Sequence, residues 1–127
     1  MISTSSIMKD ELEESIEDIV RILKGLANEK RFRILILLLN GQKSFNFLLK
    51  EVELQKTALS NHIKHLQQAK LIDKPEYNRY EITPDGREYL RAFNNTWNNS
   101  YLFQRKKLQK AQSKGMSEIF LDNFLNR

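Results

Sequence analysis

Apolar positions recur at helical spacing near the start of the chain. Leu12, Ile16, Ile19 and Leu23 follow one another at steps of four, three and four residues, and a helix of 3.6 residues per turn places such positions on one face. Carboxylates crowd the beginning of this segment and basic residues its end, as the helix dipole favours. The pattern predicts one amphipathic helix over residues 8–26.

Two further helices are predicted next. Asn28 is a suitable cap for "EKRFRILILLL", whose apolar residues lie nearly all round the helix and indicate burial on most sides. Gly41 is expected to end this central core helix, and Ser44 to cap a short helix that runs to about Val52. A brief turn over residues 53–55 then leads into another helix.

The helix after this turn has two different faces. Ala58, Leu59, Ile63 and Leu66 form its apolar stripe. The other face offers hydroxyls, amides and cations, and no carboxylate occurs from Lys56 to Ile72. Its members are Lys56, Thr57, Ser60, Asn61 and Lys64. Such a face suits an anion that also forms hydrogen bonds. Two helices joined by so short a turn form a helix-turn-helix, whose second helix can enter a DNA major groove.

A small β-hairpin and a long final helix complete the predicted elements. Strand-like residues on both sides of a turn at residues 75–78 predict the hairpin, which we call the wing. Thr83 is expected to cap the last helix, with Pro84 in its first position, over residues 84–112. The segment 113–127 that follows Gln112 has a short amphipathic pattern, suited to folding back or to docking on another protein.

Composition adds limits to this picture. The 127 residues are 40% hydrophobic and 29% charged, which suits one domain: a mainly α winged helix-turn-helix over residues 1–127, with its core and wing in residues 28–83. The 21 Lys and Arg outnumber the 16 Asp and Glu and give a net charge of +5, which favours an acidic partner such as nucleic acid. The longest apolar run, residues 34–39, is too short for a membrane span. With no cysteine to form disulfides, we expect a cytoplasmic protein.

The final helix carries aromatic residues at four-residue intervals. Four aromatics are more apolar surface than a small winged domain usually covers, so pairing with a second copy is expected, although an apolar effector pocket is an alternative. We predict a homodimer held by the first and last helices. Its interface residues are Leu12, Ile16, Ile19, Leu23, Tyr89, Phe93, Trp97 and Tyr101. The basic run "RKKLQK" beyond them either extends a DNA footprint or solvates a helix end.

Three phrases together resemble the ArsR-type transcriptional regulators, especially their archaeal members: "LANEKRFRILILLL", "LSNHIKHLQQAKLI" and "YEITPDGREYL". The resemblance covers roughly Leu23 to Leu90. It implies a homodimer, paired through its first and last helices, that binds operator DNA and usually represses transcription. Three departures accompany it. The stretch "SFNFLLKEVE" lacks the Cys-x-Cys pair of the family's metal sensors, Gln55 stands where Ser or Thr commonly caps the second helix, and the compact wing turn contains Pro75.

An ordinary solvated surface is the alternative for each candidate DNA contact. Asn61 suits the edge of adenine, whereas Lys56 and Lys64 suit phosphate or guanine. Two cations flank the wing tip and are weaker candidates, and Lys43 and Lys50 are weaker still. The predicted DNA-binding residues are Gln55, Lys56, Thr57, Ser60, Asn61, Lys64, Lys74 and Arg79.

The sequence favours no metal site and no catalysis. His62 and His65 have the spacing of a partial zinc site, but they are the only histidines and no thiolate can complete the set. No nucleophile motif or phosphate-binding glycine loop occurs. We therefore predict a sequence-specific DNA-binding regulator without a cofactor, and no enzyme; the alternative is a winged-helix module that binds protein in a transcription or chromatin assembly. The effector stays unknown.

Overall fold

The computed structural model describes residues 3–113, and within them the fold is the predicted one. It is mainly α with one small antiparallel hairpin, a winged helix-turn-helix. The elements are α1 Thr4–Glu14, α2 Ile16–Leu26, α3 Glu29–Leu38, α4 Phe45–Val52, α5 Lys56–Gln68, β1 Ile72–Glu76, β2 Arg79–Ile82, α6 Pro84–Asn98 and α7 Tyr101–Ser113. The predicted amphipathic tail lies outside the described residues, apart from Ser113.

The chain divides into two compact units, with the boundary between Glu88 and Tyr89. The physical reason lies in α6, where every residue from 91 to 99 is exposed and so has few tertiary neighbours. The first unit holds the helix-turn-helix and the wing. The second holds most of α6 and α7. No helix in the described part of the chain has the length and apolar character needed to cross a membrane.

The helix predicted over residues 8–26 is two helices. Ser3 caps α1, because its Oγ accepts a hydrogen bond from the Ser6 N–H at 3.1 Å, so the helix begins earlier than predicted. Ser15 interrupts it with φ −104° and ψ 10°, outside the helical region. Serine favours such a break, since it is a poor residue for a helix interior.

The core of the first unit gathers around α3. Asn28 caps this helix as predicted, with its Oδ1 accepting from the N–H groups of Lys30 and Arg31. The fully buried side chains come from α3, α4, α5 and the start of the wing; they are Ile34, Leu35, Leu38, Leu48, Val52, Leu59, Leu66, Leu71 and Ile72. The predicted burial on most sides of α3 has an exception at Ile36, which is 50% exposed.

The wing is an antiparallel hairpin with a short turn. In the hairpin Ile72 pairs with Ile82 and Glu76 with Arg79, and an irregularity between Asp73 and Glu76 contains Pro75, a position where proline is tolerated. The turn is therefore shorter than the predicted four residues: Asn78 takes the left-handed conformation at φ 58°.

A close approach fixes the entry to α6. The Thr83 hydroxyl accepts from the Gly86 N–H at 2.9 Å and donates to the Lys70 carbonyl at 2.8 Å, so the predicted cap is present. At Gly86 a Cβ atom would lie 2.5 Å from the Leu71 carbonyl oxygen. Only glycine fits here without displacing the backbone.

In the second unit, the predicted helix over residues 84–112 is interrupted at Asn99 and Ser100. The Ser100 Oγ accepts from the Phe103 N–H at 3.1 Å and so caps α7. Serine therefore starts a new helix here. Tyr101 consequently belongs to α7 and not to α6, the helix that carries Trp97. The aromatic stripe is broken here, although the four-residue spacing continues through the break.

Candidate nucleic-acid interface

The polar face of α5 is exposed along its whole length. The six predicted contact residues from this segment are all exposed: Gln55, Lys56, Thr57, Ser60, Asn61 and Lys64. At about 100° per residue, those from Lys56 to Lys64 lie within an arc of about 140°. The helix contains no carboxylate. This surface therefore presents only cations and neutral hydrogen-bonding groups to an approaching ligand.

Packing on the other side holds this face outward. Leu59, Ile63 and Leu66 are buried, and α5 packs against both α3 and α4. Burying three such side chains contributes about 1.5–3 kcal/mol each, so the helix cannot rotate its polar face inward without losing this energy. The predicted apolar stripe is confirmed for these three residues, whereas Ala58 is only half-buried.

The turn between α4 and α5 is held by local and distant hydrogen bonds. Glu53 takes the left-handed conformation with φ 53°, and its N–H donates to the Leu49 carbonyl. The Lys30 Nζ donates to the Val52 carbonyl at 2.9 Å, which places a cation at the C-terminal end of α4, where the helix dipole favours it. Gln55 begins α5 without a side-chain cap. Its amide is consequently not committed to the helix end.

The two predicted wing residues are also exposed. Lys74 lies in β1 and Arg79 in β2, and neither forms an ion pair within residues 3–113. The Lys74 ammonium lies 5.5 Å from the centroid of the Tyr77 ring and 5.9 Å from that of Tyr80. Cation–π contacts of this kind position the ammonium group without neutralising its charge.

The structure places Lys43, one of the weaker candidates from the sequence, beside the wing. Its backbone pairs with Tyr80 through hydrogen bonds of 3.0 and 2.9 Å, beside Arg79 in the wing. The Asn78 Oδ1 also accepts from the Phe45 N–H at 3.0 Å. Both links join residues far apart in the chain, so no local pattern could indicate them. They hold the wing at the start of α4.

The predicted interface residues of the first unit are exposed apolar side chains. Leu12, Ile16 and Leu23 are about half exposed, and Ile19 is half-buried. Ile7, Met8 and Val20 extend the same exposed series. An apolar series of this length on a small unit is typical of a protein–protein contact.

The second unit has its own exposed aromatics. Phe93 is 43% exposed, Trp97 40% and Tyr101 75%, whereas Tyr89 is half-buried. Within this unit Trp97 contacts Phe103, with ring centroids 5.6 Å apart. The predicted residues are thus available for pairing, although they do not form one continuous helical stripe.

The two histidines lie outside the arc of the polar face, His62 in the middle of α5 and His65 nearer its C-terminal end. Burial, together with the positive charges of Arg31 and His65, lowers the pKa of His62. Both effects disfavour the charged form of this half-buried imidazole, as suits a packing residue. Among residues 3–113 no three His, Cys, Asp or Glu side chains are grouped as metal ligands.

Comparison with known proteins identifies what this helix-turn-helix is similar to. Residues 28–74, from the cap of α3 to Lys74 in β1, match the family described as bacterial regulatory protein, arsR family. The helix-turn-helix is therefore ArsR-like. The transcriptional activator HlyU of Vibrio cholerae is 36% identical over 63 residues, which are 50% of this chain and 58% of that protein. The chain thus spans less than two thirds of that curated relative.

Solved structures give the same fold. The structure of HlyU from Vibrio cholerae matches with a TM-score of 0.58 and 27% identity, over 67% of this chain and 97% of that one. The homodimeric winged helix-turn-helix DNA-binding domain of Mb0332 from Mycobacterium bovis matches with a TM-score of 0.59 and 24% identity, over 73% and 89% of the two chains. At that identity the second likeness shows the fold alone.

Proposed function

We propose that the chain is a sequence-specific DNA-binding regulator of transcription, of the ArsR type, that inserts α5 into the major groove. The observation that carries this proposal is the exposed, carboxylate-free face from Lys56 to Lys64. Asn61 is suited to two hydrogen bonds with adenine, and the flanking lysines to phosphate or guanine. The match of residues 28–74 and the similarity to HlyU, a transcriptional activator, support the same class of function.

The proposed active form is a homodimer. Its support is the exposed apolar surface on α1 and α2, the exposed aromatics of the second unit, and the homodimeric domain whose fold this chain shares. A twofold dimer presents two copies of α5, so its operator is expected to be an inverted repeat with half-sites about 34–36 Å apart. Occupying such a site within a promoter excludes polymerase, and we propose repression as the direction of control. The site of action would be the cytoplasm.

Two substitutions on α5 test the mode of DNA binding. Asn61→Ala should cost about 1–3 kcal/mol on the preferred sequence and little on random DNA, because a base-edge contact carries sequence information. Lys64→Ala should weaken binding to every sequence and lower the salt slope by about one, as the loss of one phosphate contact predicts. Fluorescence anisotropy with selected and random duplexes across a salt series measures both effects.

Lys9→Ala is the matched control, since Lys9 is an exposed cation on α1. It should leave the affinity for both duplexes unchanged. If Asn61→Ala and Lys64→Ala bind like the unaltered protein, α5 is not a DNA-reading helix. A winged-helix module that binds protein would then be the better interpretation.

A further inference from the structure

A second polar site lies at the far end of α5. An open pocket of about 420 Å³ forms where the C-terminal part of α2, the start of α3 and the end of α5 meet. The side chains that line it include Arg21, Lys24, Arg31, His65 and Gln68. No carboxylate is among its lining residues.

The charges of this pocket are largely uncompensated. Arg21 pairs with Asp18 at 3.1 Å, but that pair is exposed and contributes little. Lys24 and Arg31 form no ion pair within the described part of the chain. Several cations without a neighbouring carboxylate create a positive potential, and the low-dielectric wall of a pocket strengthens it.

Arg31 is held but not neutralised. Its Nη2 donates to the Lys24 carbonyl at 2.9 Å, whereas its Nε is buried and has no hydrogen-bond partner. The Nδ1 atom of His62, whose ring feels the charge of Arg31, is likewise buried without a partner. Buried polar groups are usually satisfied, so unsatisfied ones require an explanation. An anion in the pocket would compensate the guanidinium charge.

A glycine brings the cations together. At Gly25 a Cβ atom would lie 3.0 Å from the Ala69 Cβ and 3.2 Å from the Leu71 Cδ1. This close approach places the last turns of α2, with Arg21 and Lys24, against the end of α5, with His65 and Gln68. The pocket is therefore built by the packing of two helices and is not a chance cluster of surface lysines.

The pocket lies beyond the C-terminal end of the proposed DNA-reading face of α5. His65 lies nine residues after Lys56, about 13 Å further along the helix axis, and one turn, about 6 Å, after Asn61. Helix-turn-helix proteins contact bases mainly with the N-terminal residues of the second helix. From the uncompensated cations and the unsatisfied Nε of Arg31, we propose that the pocket binds a small oxyanion, either a phosphate group or a carboxylate group of a metabolite.

Binding would also connect two helices of different roles. The pocket joins α2, on the proposed dimer surface, to α5, so an anion there should change DNA affinity. This consequence rests on the proposed function, whereas anion binding itself does not. The two are tested separately.

The histidines provide a direct measurement of binding. The chain has only two, and a His62→Gln variant assigns the Cε1–H resonance of His65. Inorganic phosphate is titrated at constant pH, with sodium chloride holding the ionic strength fixed, and citrate replaces phosphate in a parallel series. A saturable shift of the His65 resonance is expected at millimolar concentrations. The series with the tighter saturation identifies the preferred oxyanion.

Substitutions locate the site. Lys24→Gln and Arg21→Gln should each weaken binding about threefold or more, in line with partly exposed ion pairs, and Lys9→Gln should leave it unchanged. A shift that does not saturate, or that Lys9→Gln alters as much as Lys24→Gln does, overturns the proposal. The DNA affinity of Lys24→Gln is also measured in phosphate-free buffer. If it falls as much as that of Lys64→Ala, the pocket contacts DNA phosphates and the proposal is overturned. If the resonance saturates but DNA affinity does not change, the site stands and its regulatory consequence is wrong.

Discussion

The entry to α6 provides the sharpest test of the packing, through the substitution Gly86→Ala. A Cβ atom at this position would lie 2.5 Å from the Leu71 carbonyl oxygen and 2.9 Å from the Ile82 Cγ1. The carbonyl cannot simply move away, because it accepts a hydrogen bond from the Thr83 N–H at 3.0 Å. Relief of the clash must therefore move α6 or the start of the wing.

The size of the effect follows from two opposing contributions. Alanine in a helix gains at most about 1 kcal/mol over glycine. Overpacking against a fixed backbone costs about 1–3 kcal/mol, and at 2.5 Å the upper part of that range applies. We expect a net loss of about 1–2 kcal/mol in the free energy of unfolding. With a urea m-value of about 2 kcal/mol/M, in the middle of the usual range, the midpoint should fall by about 0.5–1 M.

Urea unfolding followed by circular dichroism measures this midpoint. Gly25→Ala is the matched control, since it is the same substitution in a helix whose nearest atoms are side-chain carbons at 3.0 and 3.2 Å. The Leu71 side chain can rotate away, and the 3.0 Å contact with the fixed Ala69 Cβ is less severe than the 2.5 Å contact at Gly86, so the midpoint of Gly25→Ala should change less. A Gly86→Ala protein as stable as the unaltered one would refute the reasoning, because it would mean that the backbone at Leu71 yields without cost.

The remaining predictions concern assembly and pH. Trp97→Glu should dissociate the proposed dimer in sedimentation, because a buried charge without a partner costs several kcal/mol. The control is Asn95→Glu, on the opposite side of α6. A dimeric Trp97→Glu variant would place Trp97 outside the interface. The pKa of His62 is lowered on folding, so the unfolded chain binds more protons and stability should decline as the pH falls below about 6.5. His62→Gln should flatten this decline in thermal unfolding, and an unchanged pH profile would contradict it.

Local hydrogen-bonding patterns allowed much of the first unit to be predicted. Asn28, Ser44 and Thr83 accept the hydrogen bonds of the helix starts that their positions in the sequence indicated. The buried face of α5 also followed from spacing alone. Such features depend on residues within a few positions of one another, and a single sequence contains that information.

Other features could not be read from periodicity. The apolar spacing continues through both helix breaks, from Leu12 to Ile16 and from Trp97 to Tyr101, so the interruptions at Ser15 and Ser100 leave the pattern unchanged. The pairing of Lys43 with Tyr80 and the Lys30 hydrogen bond to Val52 join distant parts of the chain. The anion pocket likewise depends on the contact of Gly25 with Ala69, which no local motif encodes.

The exposed apolar side chains favour a dimer that uses both units. The exposed apolar residues of α1 and α2 are each about half buried already, so complete burial adds only about 1 kcal/mol per side chain. Association costs about 4–15 kcal/mol in lost translational and rotational freedom. The energy gained by burying the α1 and α2 surface is therefore similar to the cost of association. Phe93 and Trp97 supply larger areas per residue, and a stable dimer is expected to depend on them.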